Sequence, residues 1–411
     1  MAMFTRRAAI GAAAAASLPL PVLARTGRAP DVIVVGAGVF GAWTARHLQR
    51  MGERVTLVDA WGPAHARASS GGESRMTRGA YGADEIYTRM AHDSLPEWKA
   101  LSRRAGLPLF HRIGVLHYFT RRIPFVDETL AVHRRLGLPT RTLGQAEMQR
   151  LWPQIDFSGV AIGLHEPDFG ALMARRAVQS VVAEFVAAGG TYRQAQVSPP
   201  APADGPLATI ELAGGERLAA GRFVFACGPW LPKVFPEMLG GRIFPTRQEI
   251  FFFAPPPGDD RFAPGRLPGW TDFDGDDIFY GFPDLESRGF KIAYDPHGPP
   301  IDPDTGDRSH SASGLANVRA FIRRRFPAMA DRPLNETRVC QYENSANGDL
   351  LIDFHQRLRN VLLVGAGSGH GFKHGPAVGA YAARLLSGRV SRQEPRFSLA
   401  SKSEVQNRAV H

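Results

Sequence analysis

The sequence predicts an α/β fold of two domains, α+β in its overall organisation. One is a parallel, dinucleotide-binding sheet assembled from separated segments, and the other rests on an antiparallel sheet. Three observations predict it. A run of β-branched residues, Asp31-Val-Ile-Val-Val35, delivers Gly36-Ala37-Gly38-Val39-Phe40-Gly41 to a helical pattern. Two later apolar runs, Phe223-Val-Phe-Ala226 and Asn360-Val-Leu-Leu-Val364, also end in glycine-rich turns. Between them lie alternating runs such as Arg247-Gln-Glu-Ile-Phe-Phe-Phe253 and Asp277-Ile-Phe-Tyr280, the pattern of antiparallel strands. A chain of 411 residues has room for two such domains at ~100–200 residues each.

The first unit is complete. After the glycines, Ala42, Ala45 and Leu48 share one side of a helix that Gly52 ends, and Val55-Thr-Leu-Val58 forms a second strand closing on Asp59. The context makes the glycine fingerprint specific for a Rossmann-like fold. Gly36 permits the tight turn, Gly38 lets backbone approach a pyrophosphate, and Gly41 lets helix and strand pack closely. Unpaired N–H groups at the helix start face the phosphates, and Asp59 accepts from the ribose hydroxyls. The other strand ends, at Cys227-Gly228-Pro229-Trp230 and Gly365-Ala-Gly-Ser-Gly-His370-Gly371, complete the domain from distant parts of the chain. The segments expected in it are 30–108, 168–242 and 338–395, leaving 109–167 and 243–337 for the antiparallel domain.

Composition excludes several classes. Hydrophobic residues at 44% and charged ones at 21% are ordinary for a soluble enzyme. The formal charge of +10 invites a nucleic-acid reading, but the basic residues are scattered. Five of the 49 are lysine and the other 44 arginine, a general preference rather than a binding patch, so no nucleic-acid partner is expected. The N-terminus reads Thr5-Arg6-Arg7, an alanine-rich apolar stretch to Leu18, then Pro19-Leu20-Pro21-Val22-Leu23-Ala24. It has the parts of a twin-arginine export signal over residues 1–24, cleaved after Ala24, and implies a periplasmic protein. The apolar stretch is too short and too proline-broken for a stable membrane span.

The two cysteines, Cys227 and Cys340, permit one long-range disulfide, although each sits in a segment with its own explanation. Asp272-Phe-Asp274-Gly275-Asp276-Asp277 looks like a calcium loop with its glycine misplaced, and reads as a polar turn. No metal site is expected. His370, alone in a glycine turn, lacks a ligand cluster.

Four stretches, taken together, resemble the D-amino-acid-oxidase superfamily, and within it the monomeric sarcosine oxidase and N-methyltryptophan oxidase branch, over about residues 30 to 390. The first is Ser69-Ser70-Gly71-Gly72-Glu73-Ser74-Arg75-Met76-Thr77-Arg78-Gly79-Ala80-Tyr81-Gly82. The resemblance implies FAD as cofactor, Arg75 over its ring and Arg78 on the substrate carboxylate, which a planar guanidinium fork matches. The second, Tyr280-Gly281-Phe282-Pro283 with Gly289-Phe290-Lys291, implies that Lys291 activates dioxygen. A fixed cation in a water-poor site stabilises negative charge as it develops there. The third, Val339-Cys340-Gln341-Tyr342-Glu343-Asn344, makes Cys340 the candidate for a covalent flavin thioether, against an inert buried thiol. Tyr342 faces the substrate in this comparison, or else belongs to the core. The fourth, Gly367-Ser368-Gly369-His370-Gly371-Phe372-Lys373, is similar to a flavin-contacting turn whose lysine supplies a second cation for the carboxylate. Ser69, Ser70, Val197, Cys227 and Gly228 are assigned to the cofactor by the same resemblance.

Two departures concern the substrate. Asp295 stands where the sarcosine oxidases carry histidine, and Glu343 where they carry threonine. An acid in either place favours a cationic or bulkier substrate. The activity implied is FAD-dependent oxidation of a C–N bond in a small amino acid or N-methyl amino acid by a monomer, with imine hydrolysis and peroxide release from dioxygen. The alternatives are a dehydrogenase of the same fold that passes electrons to a quinone or carrier protein, and a flavin-bound protein without turnover.

Overall fold

The computed structural model describes residues 30–274 and 277–407. The expected export signal and the tip of the polar turn, Gly275-Asp276, lie outside the described residues. The fold is the expected α/β. Its parallel sheet runs Leu351–Phe354, Val361–Gly365, Arg222–Phe225, Val32–Val35, Val55–Asp59, Thr191–Gln194 in spatial order, with only the first pair antiparallel. Val32, Ile33 and Val34 are wholly buried because both faces of this sheet are covered. On one side pack the helices Val39–Arg50, Ala174–Ala187, Glu85–Ala105 and Gly375–Leu386 through Trp43, Leu48, Val178 and Val378. On the other lie Ile33, Phe223, Phe225, Leu231 and Leu363. The helices Val39–Arg50 and Gly375–Leu386 come so close that a Cβ at Gly379 would sit 2.6 Å from the Trp43 backbone.

The second sheet has eight strands, ordered Leu334–Ser345, Ile243–Phe253, Phe290–Tyr294, Asp277–Phe282, Gly269–Asp274, Val115–Phe119, Ile162–Glu166, Arg141–Leu143. Every pairing is antiparallel except that of Gly269–Asp274 with Val115–Phe119. Strand alternation divides its faces. Phe251, Trp270, Phe279, Phe290 and Ile292 pack against Phe321 and Phe326 of the helix Ala312–Arg325 and its exit. The opposite face carries Tyr280, Phe282, Lys291, Ala293 and Cys340. Between the two large sheets lies a small one made of Ser74–Thr77, Gly170–Met173 and Phe110–His111.

The segment boundary expected at 338 falls inside the strand Leu334–Ser345, which stays on the edge of the eight-stranded sheet for its whole length. After a register shift beside Leu334 its ladder with Ile243–Phe253 runs unbroken from Glu336 to Ser345, and the chain joins the parallel sheet only at Leu351. Asp272, in the calcium-like segment, is a buried carboxylate paired with Arg325 Nε at 2.8 Å. Cys227 and Cys340 are free, Cys227 Sγ lying by Val35 O and Cys340 Sγ by Ser69 O and Arg75.

Candidate flavin and substrate site

A cleft of about 300 Å³ runs from the end of the Val32–Val35 strand to the inner face of the eight-stranded sheet. Its first wall is the glycine turn. Gly36 has φ +103°, and a Cβ there would lie 2.3 Å from Ala226 O; one at Gly41 would meet Gly36 O at 1.8 Å. Only glycine fits either place. Gly36, Gly38, Val39 and Phe40 line the cleft, whereas Ala37 and Gly41 stand behind it. The helix starts at Gly38 with no side-chain cap and no acid in its first turn, which leaves its positive end for an anion. Val39 N donates to Ser70 Oγ at 3.0 Å.

Asp59 lines the same wall and braces it. Its carboxylate accepts from Ala37 N at 2.7 Å, Gly62 N at 2.8 Å and Trp61 N at 3.0 Å. Val197, Cys227 and Gly228 line the cleft beside it, and Ser69, Gly367, Gly369, Gly371 and Phe372 continue the lining inward. This cradle of glycines, an open helix start and an acid at the second strand end fits a dinucleotide diphosphate with its ribose. Sequence reasoning missed the outer rim, where Trp61, Trp230, Lys233 and Asp304 also line the cleft. There Asp304 accepts from Trp230 Nε1 at 2.7 Å and pairs with Lys233 at 2.5 Å. No local pattern announces a contact between residues more than 70 apart.

At the inner end the cations gather. Arg75 Nη1 and Lys291 Nζ both donate to Ser74 O at 2.9 Å, and Lys291 also reaches Ser74 Oγ at 3.1 Å. Arg75 Nη2 donates to Ser69 O at 2.6 Å and to Cys340 Sγ at 3.1 Å. Lys291 is 2% exposed, and burial, then Arg75, push its pKa well below the usual lysine range. The Tyr342 and Tyr280 hydroxyls share a hydrogen bond, and burial raises the pKa of both phenols. Tyr342 lines the cleft; a Cβ at Gly369 would lie 2.8 Å from its ring.

A second cationic group surrounds Tyr81, for which the sequence alone indicates no role. The Arg78 guanidinium lies 4.2 Å from the Tyr81 ring centre and donates to Ala80 O. Lys373 Nζ donates to Tyr81 Oη at 2.6 Å and to His370 O at 2.7 Å. Burial, then Arg78, lower the Lys373 pKa well below normal. His370 and Lys373 lie behind the glycine turn rather than on the cleft wall, with His370 Nε2 donating to Gly348 O at 2.9 Å. Glu166, also missed, is the buried counter-charge. It accepts from Gly79 N and His117 Nε2, each at 2.8 Å, and although burial acts to raise its pKa, His117 holds it below normal.

Alternation along Leu334–Ser345 puts Cys340 and Tyr342 on one face and Glu343 on the other, and Glu343 lines the cleft together with Tyr342. Its Oε1 sits where a Cβ at Gly365 would be 2.4 Å away, and burial raises its pKa to about 8. The carboxyl is therefore neutral at pH 7. Between the unfolded value near 4.5 and about 8 the folded chain holds the extra proton, so this group's stabilisation is complete at low pH and is lost as pH rises. In cofactor-free protein, Glu343→Gln is expected to flatten that decline, worth about 1.4 kcal/mol per pH unit. Parallel slopes for both proteins in urea melts from pH 5 to 8 would contradict the placement of the proton.

The fold and site together define an FAD-dependent oxidoreductase. The profile of the DAO family, FAD dependent oxidoreductase, matches residues 31–385, and the chain belongs to that family. It is 29% identical to the monomeric sarcosine oxidase of Bacillus sp. (strain B-0618) over 395 residues, 92% of this chain and 99% of that one. It is also 29% identical to the N-methyl-L-tryptophan oxidase of Citrobacter koseri, over 90% of this chain and 96% of that one. Among solved structures it superposes on NikD, an amino acid oxidase of nikkomycin biosynthesis, with a TM-score of 0.73 at 21% identity, covering 90% and 98% of the two chains. The L-proline dehydrogenase of P. horikoshii gives a TM-score of 0.77 at 19% identity, covering 88% and 95%. At these identities the structures speak for the fold alone.

Proposed function

We propose that the enzyme oxidises the C–N bond of a small amino acid or N-methyl amino acid to an imine, which water then hydrolyses, and that dioxygen is reduced to hydrogen peroxide. The observation that carries this reading is the arrangement of cations: Lys291 beside Arg75 at the cleft's inner end, and Arg78 with Lys373 around Tyr81. Likeness to the sarcosine and N-methyltryptophan oxidases supports it.

In this reading FAD, when bound, supplies the two-electron acceptor. Gly36, Gly38 and the helix start at Val39 hold its diphosphate, Asp59 its ribose, and Ser69, Ser70, Val197, Cys227, Gly228 and the turn Gly367–Lys373 its remaining length. Cys340 is the candidate thioether, with its Sγ held by Arg75. Arg78 and Lys373 bind the substrate carboxylate. Tyr280 and Tyr342 wall the reacting carbon, exclude water and leave the amine nitrogen unprotonated. Lys291 offers its cation to dioxygen as charge develops there; Ser74 occupies two of its three donors. The protein acts as a monomer.

The reading is tested by anaerobic exposure of the holoenzyme to N-methyl and primary amino acids, followed by air. Bleaching of the flavin and one peroxide per substrate are expected, and acid-precipitated protein should give a yellow pellet. Bleaching with dye reduction but no peroxide would replace the oxidase by the dehydrogenase. No bleaching by any amine would end the amine-oxidising reading, and a colourless pellet would remove Cys340 from cofactor attachment.

A further inference from the structure

The face of the eight-stranded sheet that carries Lys291 continues past it. Alternation along Phe290–Tyr294 puts Lys291 and Ala293 on the face that carries Tyr280 and Cys340, and one more step of two brings Asp295 to the same side. The ladder persists that far, because Asp295 N donates to Ile278 O at 2.8 Å. Tyr280 stands opposite Ala293 on the neighbouring strand, and Asp295 lies close enough to Tyr280 and Tyr342 to disfavour both phenolates.

His297 completes the enclosure. It holds a left-handed backbone at φ +60°, costly for a residue other than glycine, and this turns its ring to within 5.6 Å of Tyr342. Its Nδ1 donates to Asn344 Oδ1 at 3.1 Å. The orientation of that amide is fixed, since Asn344 Nδ2 donates to Thr246 Oγ1 and Phe244 O. His297 Nε2 stands 3.9 Å from Asp295 Oδ1, beyond hydrogen-bond reach.

The Asp295 side chain is 19% exposed, and its Oδ1 is buried with no hydrogen-bond donor. Arg75, which lies by Tyr280 and Tyr342, does not serve it; that guanidinium is spent on Ser69 O, Ser74 O and Cys340 Sγ. A buried acceptor left open costs free energy that an arriving donor restores. A carboxylate walled by two phenols and an imidazole is the chemistry that recognises an organic cation, by charge and by aromatic faces.

We propose that Asp295 selects substrates carrying a second, cationic nitrogen, an ammonium or guanidinium at the far end from the carboxylate and the amine that reacts. The selection deepens the amine-oxidising reading and rests on it.

The test uses the holoenzyme and two readouts. Binding is followed by flavin absorbance changes with ω-amino acids of four to six carbons against the unsubstituted acids of equal length. Turnover is followed by anaerobic reduction with N-methylglycine and N-methylalanine against Nα-methyl-lysine and Nα-methylarginine. The wild-type protein is expected to prefer the cationic member of each comparison by about tenfold or more. Asp295→Asn should erase the preference and Asp295→Glu retain part of it. Equal affinities in the wild type, which need no variant, or a preference that survives Asp295→Asn, overturn the proposal. Reduction by N-methylglycine without discrimination sinks this inference alone. A binding preference lost in Asp295→Asn with no reduction by any amine upholds the cation site and sinks the amine-oxidising reading.

Discussion

Lys291→Met is expected to slow the oxygen-dependent half of the cycle about 10²–10³-fold while changing reduction by substrate less than about tenfold. The argument starts from a charge that cannot be hydrated. Lys291 is 2% exposed on the inner sheet face and donates to Ser74 O and Ser74 Oγ. Phe282 covers it, with Nζ 4.9 Å from the ring centre. A cation in such a place is preorganised for negative charge that appears on dioxygen, and methionine keeps the volume while removing the charge. Burial first, and then Arg75, lower the lysine pKa, while Cys340 and Glu73 act against them. The sign follows. The ammonium is fully present at low pH and is lost as pH rises through that lowered pKa, so the wild-type oxygen reaction should slow toward alkaline pH and the methionine variant should be flat. Double-mixing stopped flow, with reduction and reoxidation recorded separately, reads both effects. Equal slowing of the two halves, or a wild-type rate that rises with pH, would remove Lys291 from oxygen chemistry.

The strands and turns that carry this site were legible where the signal is local. Val32–Val35, Gly36 and Asp59 announce themselves by β-branched run, glycine spacing and a closing acid, and in the structure they form the first strand, the left-handed turn after it and the end of the second strand. The antiparallel sheet was legible from alternation at 247–253 and 277–280. What escaped is non-local. Thr191–Gln194 extends the parallel sheet although its residues are half exposed, so it lacks the apolar run of a central strand. The strand Leu334–Ser345 runs past the expected boundary because alternation does not reveal which sheet it joins. Glu166, Tyr81 and Asp304 matter through partners more than 70 residues away, as with Glu166 on Gly79, Tyr81 under Lys373 and Asp304 on Trp230. Glu343 lines the cleft from the strand face opposite to Tyr342, since a one-residue step along a strand reverses the face.

Arg78→Met is expected to lower kcat/KM for a carboxylate substrate about 10²–10³-fold and to leave the corresponding carboxamide within about threefold, since a buried charge pair loses ~2–5 kcal/mol when truncated. The contrast follows from the way Tyr81 holds the two cations. Arg78 lies over the Tyr81 ring, and Lys373 donates to its hydroxyl. Gly79, next to Arg78 in the chain, is pinned by its amide to Glu166. The carboxylate of Glu166 is the counter-charge that raises the Lys373 pKa, against burial and Arg78, which lower it. In the wild type, KM for the acid should therefore rise as pH climbs through the lowered pKa of Lys373, because the ammonium is lost. Without the Arg78 charge that lysine holds its proton to higher pH, so the rise in KM should move upward in Arg78→Met even though KM is larger throughout. Initial rates with acid and amide between pH 6 and 10 test both statements. If acid and amide lose rate equally, Arg78 serves only to pack Tyr81. If the KM profile does not move, Lys373 is not coupled to Arg78, and the two residues do not form one carboxylate site.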